Sequence, residues 1–514
     1  MCWRGLILAL LLICVNISEV QASKLLYIPM DTRPVCLDYT LTSLQAAGVQ
    51  VVYPDREFLA DNKQDAQVDK LFSWLERELP VADAVVLSTD SLIYGGLVGS
   101  RTHELPLTIL QARLQRLLDL LDKYQVPVYA YSTIMRTPRA SSGRVEPAYY
   151  AQYGAQIFRY TQLQDKQELE KLSSKEWQEY QLLQQQLPQA VLTDWQTRRD
   201  KNLIINQRLL EAVQAGKFTY FILGKDDTAV YSASHREARI LGLQTENLLP
   251  NVYGNFVGAD QLGLVLAVRA VSSWQQQLPF IYVDYNQGVA GKTIPSYEDM
   301  PLEQTVKAHI WAAGAFETKS LARADLVLAL NTPADGVTLE ASNPVNNVDK
   351  LQTKAELLQI LEVFQVIKKP VALADVAYGN GADNALVAGL FQKDLAWNLA
   401  AYAGWNTASN SLGYALGQGI LSPQISREAR EKLLAVRYLD EWAYQANVRQ
   451  QVYQQLVWPE QLNGQALGLQ TAKVEAKIAT NMRAFIKNKM PASYQQVEYK
   501  LPWQRMFEVQ GKIN

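Results

Sequence analysis

The sequence predicts a parallel α/β fold. The expected form is an elaborated (β/α) barrel-like sheet with a helical insertion and a helical C-terminal subdomain; two doubly wound α/β domains are the alternative. Three observations carry this. Continuous apolar runs of strand length recur along the chain, as strands buried on both faces require. Amphipathic helical stretches such as 107–123 and 306–315 lie between them. Most runs end in a polar cluster, as strand ends that face a ligand do.

The elements follow in order. Arg4 precedes the apolar run Gly5 to Val15, and a polar stretch ends in Val20-Gln21-Ala22. A charged start, a short apolar stretch and a small-x-small end make a signal peptide over 1–22, with cleavage expected after Ala22. No later segment reaches the roughly 18 uninterrupted apolar residues of a membrane span. The expectation is a periplasmic or secreted protein with no integral span after cleavage. Of the three Cys, only Cys36 follows the cleavage site, so no internal disulfide is expected. Lipid attachment at Cys14 is disfavoured because Leu12 and Ile13 stand where small residues are wanted.

Strands are expected at 25–30, 49–53, 84–88, 126–132 and 218–223, then at 251–257, 279–283, 326–330, 371–374 and 399–403. That is about ten, and eight close a barrel, so the surplus needs either an elaborated barrel or two sheets. Residues 149–214 break the pattern: they are rich in Gln, Glu, Lys and Leu, with no strand-like run. A helical hairpin inserted between two strands fits, with Pro188 near its turn because proline breaks a helix interior. The α/β domain therefore spans 23–424, and residues 425–514 form the helical C-terminal subdomain. No repeat of 20–50 residues is present.

Composition narrows the chemistry. A hydrophobic fraction of 48% with 19% charged residues is that of a folded chain. The net charge of -2 gives no electrostatic footprint for nucleic acid. Three His and three Cys leave little for a zinc centre or a disulfide framework, and 11 Trp, 26 Tyr and 12 Phe are plentiful. The chemistry must rest on Asp, Glu, Arg, Asn and Tyr, with no cofactor called for. There is no Gly-x-Ser-x-Gly elbow and no His-Glu-x-x-His. Asn286 to Thr293 ends in Gly-Lys-Thr, but Asn286 stands where a phosphate loop needs Gly, and Pro295 and Pro301 oppose the helix it needs. Nucleotide binding is not expected.

Ligands of parallel α/β folds bind at the carboxyl ends of strands. Here those ends carry Asp31 and Arg33, Asp90, Arg136, Asp226 and Asp227, Asp260, Asp284, Asp375, Asn380 and Asp383, and Asn406 and Asn410. Asp, Asn and Gly also cap helices and make turns, but capping does not require Arg33 or Arg136. Asp226 and Asp227 are the expected catalytic pair. Neighbouring carboxylates push their pKa values apart, so one can serve as an acid while the other stays charged. That suits glycoside hydrolysis. Trp405 beside Asn406 suits a sugar, the ring stacking on its C–H face and the amide bonding hydroxyls. Asp31, Arg33, Asp90, Arg136, Asp375, Asn380, Asp383, Trp405 and Asn406 are the expected substrate-binding residues, and no metal ligand set is assigned.

The stretches Ile28 to Pro34, Asp90 to Arg101, Ile134 to Arg136 and Gly404 to Asn410 together resemble an uncharacterised bacterial family, domain of unknown function 4127. Locally, Asp226-Asp227 after an apolar strand and Trp405-Asn406 late in the chain are similar to barrel glycosidases that remove N-acetylglucosamine with help from the substrate's own acetamido group. That likeness implies Asp227 as general acid/base and Asp226 as the residue that orients the acetamido group. The helical insertion before Asp226 and the surplus strands depart from that pattern. The functional expectation is an exported glycoside hydrolase-like enzyme acting on an envelope or polymeric sugar, a hexosaminide among the candidates. The alternatives are a metal-assisted hydrolase with Asp31, Asp90 and Asp226 around Mg²⁺ or Ca²⁺, and a non-catalytic carbohydrate-binding or envelope scaffold protein.

Overall fold

The structure, a computed structural model, describes residues 23–139, 145–286 and 288–513. The expected signal segment 1–22 lies outside them. The first six strands are β1 (Lys24–Ile28), β2 (Gln50–Val52), β3 (Ala84–Ser88), β4 (Val128–Ile134), β5 (Tyr220–Lys225) and β6 (Tyr253–Val257). They form one parallel sheet in the order β2-β1-β3-β4-β5-β6. Five more strands are β7 (Phe280–Tyr285), β8 (Phe316–Glu317), β9 (Leu326–Asn331), β10 (Val371–Asp375) and β11 (Ala401–Ala403). They form a second parallel sheet in the order β11-β10-β9-β7-β8.

The expectation of one barrel-like sheet is therefore corrected. Among the described residues no ladder joins β6 to β7, and the edge strands β2 and β6 do not pair. Two helices separate the sheets. Leu262–Trp274 lies on the first sheet against β3, β4 and β5, and Ala408–Leu421 lies on the second against β9, β10 and β11. The two helices pack on each other, so a double layer of helix stands where a barrel would need strand pairing. Gly413 and Gly417 allow this approach: a side chain on either would meet Gln261 or Leu264.

Both sheets share one topology. Read from its second strand, each runs second-first-third-fourth-fifth: β2-β1-β3-β4-β5 and β8-β7-β9-β10-β11. Each chain path reverses direction after its second strand, which opens a crevice at the carboxyl ends of β1 and β3, and of β7 and β9. The apolar runs are explained by burial on both faces. In β9, Leu326, Leu328 and Leu330 enter the core between the sheets, while Val327 and Ala329 enter the core under the C-terminal helices. Successive side chains point to opposite faces, so such a strand reads as continuously apolar.

The insertion between β4 and β5 is three helices, Tyr150–Leu169, Ser174–Gln186 and Gln189–Gln214, where a hairpin was expected. Ser173 starts the middle helix with a capping box to Glu176. Pro188 stands at the N-cap of the third, where its missing N–H costs nothing. Residues 425–514 hold Arg427–Arg437, a π-helical continuation over Tyr438–Val448, Thr471–Ile486 and a small antiparallel pair, Glu498–Lys500 with Gln510–Lys512. The last of these segments turns back to the strand ends of the first sheet.

Candidate functional site

A cavity of about 270 Å³ opens at the carboxyl ends of the strands. Its lining comes from the loops after β1 (Arg33), β3 (Arg101), β4 (Arg136), β5 (Lys225, Asp226, Asp227) and β6 (Asp260). The second sheet adds Tyr297, Asn380, Asn406 and Asn410, and the C-terminal segment adds Trp503, Arg505 and Phe507.

Each charged group is positioned by a partner. After β1 the chain turns so that Asp31 Oδ1 accepts from the Arg33 backbone N–H and Nε, both at 3.0 Å. The far edge of Arg33 donates to Asp260 Oδ1 at 2.7 Å, tying the loops after β1 and β6 together. After β3 a tight turn at Gly95 and Gly96, with φ of 89° and 122°, starts the short helix Leu97–Thr102 that carries Arg101. A side chain at position 96 would meet Ala60 and the Met30 carbonyl, so only glycine fits this turn. Arg101 Nη2 donates to Asp226 Oδ2 at 2.5 Å. After β4, Arg136 Nη1 donates to Asp227 Oδ2 at 2.7 Å and its Nε to Glu146 Oε1 at 2.6 Å. Glu146 also lies 3.7 Å from Arg101 Nη1. The result is an alternating chain of charge, Asp226–Arg101–Glu146–Arg136–Asp227. Lys225 is outside it and pairs with Asp299 at 2.5 Å.

Asp227 has φ of 31°, so the chain is already turning and both aspartates reach the cavity. Burial pushes the Asp227 carboxyl above its usual range, the charge of Asp226 adds to the push, and Arg136 and Arg101 oppose it. Its Oδ1, like Oδ1 of Asp226, has no hydrogen-bond partner among the described residues. Two acceptors are left in need of a donor: Asn380 Oδ1 and Asn410 Oδ1 are shielded from solvent and bonded to nothing described.

The sequence-predicted residues divide in three. Arg33, Arg136, Asp226, Asp227, Asn380 and Asn406 line the cavity together. Asp31, Asp90 and Trp405 sit behind it. Asp31 holds Arg33. Asp90 is fully buried and accepts from Thr133 and Ser132; burial pushes its carboxyl up to about 7. The Trp405 indole donates to Asp260 Oδ2 at 3.3 Å and packs on Phe507, so its ring face is core and does not offer a sugar a platform. Asp375 and Asp383 lie elsewhere. Asp375 is buried among Asn331, Tyr402 and the Asp383 backbone N–H. Asp383 caps the helix Asn384–Gln392, pairs with Lys354 at 2.6 Å, and lines a separate cavity of about 650 Å³ beside the crevice between β7 and β9. The sequence reading missed Arg101, Glu146, Tyr297, Trp503 and Arg505.

Among the described residues no three His, Cys, Asp or Glu side chains are grouped so as to hold a metal ion. Asp31, Asp90 and Asp226 each have another partner. No helix there is long and apolar enough to cross a membrane.

Fold and cavity define a parallel α/β protein with a polar cavity lined from the carboxyl ends of two sheets. The chain belongs to the family described as protein of unknown function DUF4127, whose model matches residues 25–512. No curated protein matches its sequence.

Proposed function

We propose that this protein is an exported glycoside hydrolase-like enzyme whose sugar site is the cavity at the strand ends. The observation that carries this reading is that Asn380 and Asn410, whose Oδ1 atoms have no described partner, line the same cavity as Asp226 and Asp227. Buried acceptors without a donor are costly, and a hydroxyl-rich ligand supplies the missing O–H groups. Tyr297, an exposed ring, and Phe507 give the same space aromatic surface for the C–H face of a sugar.

Asp227 is the acid. Burial, helped by Asp226 and opposed by Arg136, raises its carboxyl above the usual range, the direction a general acid needs. It gives its proton to the glycosidic oxygen as the C–O bond breaks, and takes a proton from the water that completes hydrolysis. Asp226, fixed by Arg101, faces the positive charge that develops at the anomeric carbon or orients an acetamido group. The guanidinium groups on both aspartates favour a second reading, a binding protein without turnover.

Asp227→Asn tests the choice. Turnover of an N-acetylglucosaminide falls by roughly 10² to 10⁴-fold if Asp227 is the general acid, while the melting temperature is kept. Equal turnover in mutant and wild type refutes the assignment. Sugar binding with no turnover in either protein supports the binding reading. Loss of activity in EDTA with recovery on adding Mg²⁺ or Ca²⁺ supports the metal-assisted alternative.

A further inference from the structure

The cavity offers more than neutral hydrogen bonding. Five cationic side chains line it (Arg33, Arg101, Arg136, Lys225 and Arg505) against three carboxylates (Asp226, Asp227 and Asp260). Three of the arginines share one arrangement. Arg101 spends Nε and Nη2 on Asp226, Arg136 spends Nε and Nη1 on Glu146 and Asp227, and Arg505 spends Nε and Nη2 on Glu508. Arg136 Nη2 and Arg505 Nη1 are left with no partner among the described residues, whereas Arg101 Nη1 faces Glu146 at 3.7 Å. The bound carboxylate fixes each guanidinium plane in advance. Arg505 is further held over the Trp503 ring, 4.9 Å from its centroid. Such prepaid orientation lets a planar guanidinium grip an anion with little further loss of freedom.

We infer that the sugar this site takes carries a carboxylate, received by the free nitrogens of Arg136 and Arg505. A neutral sugar would serve the two unused N–H groups with hydroxyls alone. A planar carboxylate satisfies them with charge-assisted bonds, roughly twice as strong as neutral ones. The same groups would meet a phosphate, but its second negative charge would stand beside Asp226 and Asp227, so a single carboxylate is favoured. Arg505 arrives from the C-terminal segment, so that segment is part of the specificity device. This inference rests on the carbohydrate reading of the cavity and names its substrate class.

Matched pairs of sugars test it by calorimetric titration of the full chain: D-glucuronate against D-glucose, and N-acetylmuramic acid against N-acetylglucosamine. The members of each pair share a ring and differ in the carboxylate. The expected result is at least tenfold tighter binding of the acid in one pair or both. Arg505→Gln should cut that ratio to less than threefold. Should this variant fail to fold, the double variant Arg505→Gln/Glu508→Gln removes both members of the ion pair and is read in the same way. Equal affinity within both pairs, no binding of either acid, or an undiminished ratio in the variant overturns the inference. Glucose 6-phosphate binding tighter than glucuronate also overturns it in favour of a phosphosugar. Neutral hexosaminide turnover that depends on Asp227 would leave the glycosidase reading standing without it. Acid-selective binding with no effect of Asp227→Asn on turnover would do the reverse.

Discussion

Glu298 offers a prediction that follows from burial alone. Its Oε1 accepts from the backbone N–H and the hydroxyl of Ser409, both at 2.6 Å. Its Oε2 is enclosed and has no partner among the described residues. Burial therefore pushes this carboxyl from 4.5 up to about 7, the Ser409 bonds opposing the shift. Folding takes up a proton here, so the stabilisation is full below about pH 4.5 and is lost as pH rises through about 7. The span of about 2.5 pH units corresponds to roughly 3 kcal/mol. Glu298→Gln keeps the shape and the acceptor but cannot ionise. Its melting temperature should match wild type within a degree or two at pH 5 and exceed it by several degrees at pH 8. A difference between the two proteins that is the same at both pH values would refute the reasoning. The residue matters because Ser409 opens the helix Ala408–Leu421 and adjoins Asn410, while Tyr297 precedes Glu298, so one buried acid braces two sides of the cavity.

Two further substitutions separate structure from function. Arg101→Gln strands the buried Asp226 carboxylate and should cost about 3–5 kcal/mol in urea unfolding; adding Asp226→Asn should recover at least half. Simple additivity of the two losses would show that the pair is not coupled. Asn410→Ala removes an acceptor that has no described partner, so the melting temperature should barely change. Sugar affinity measured by titration should fall roughly tenfold, the worth of one hydrogen bond, and unchanged affinity would remove Asn410 from the site.

Much of the fold was legible because both sheets are covered on both sides. Burial on two faces turns a strand into an apolar run, and ten of the eleven strands of these two sheets fall where the sequence predicts one. The exception, Phe316–Glu317, is a two-residue edge strand, too short to leave a pattern. How the strands divide between sheets was not legible. Pairing order is set by helices such as Leu262–Trp274, whose apolar positions face both β3 and a second helix, and periodicity does not name the partner. The doubled strand order is equally hidden, since it is a likeness of path and not of residues.

The site was partly legible for the same reason. Strand ends of the first sheet converge, so Arg33, Arg136, Asp226 and Asp227 could be found as polar residues after apolar runs. Asp375 and Asp383 obey the same rule but belong to the second sheet, where β10 ends over a different cavity. Trp405 looked like a sugar platform because Trp beside Asn is chemically apt; Phe507, which covers its ring, lies about a hundred residues on. Trp503 and Arg505 come from a segment whose return to β1 depends on single contacts, such as the Trp503 indole donating to Thr32 at 3.2 Å. No local pattern announces a contact of that kind.

The central claim is that the cavity at the strand ends is the sugar site. A crystal structure of the Asp227→Asn protein soaked with N-acetylmuramic acid and, separately, N-acetylglucosamine tests it most directly. The account predicts a sugar ring against Tyr297, with a hydroxyl or acetamido group within hydrogen-bond reach of Asn410 and of position 227. A sugar seated instead in the larger cavity beside Lys354 and Asp383, or an empty first cavity under saturating ligand, would contradict it.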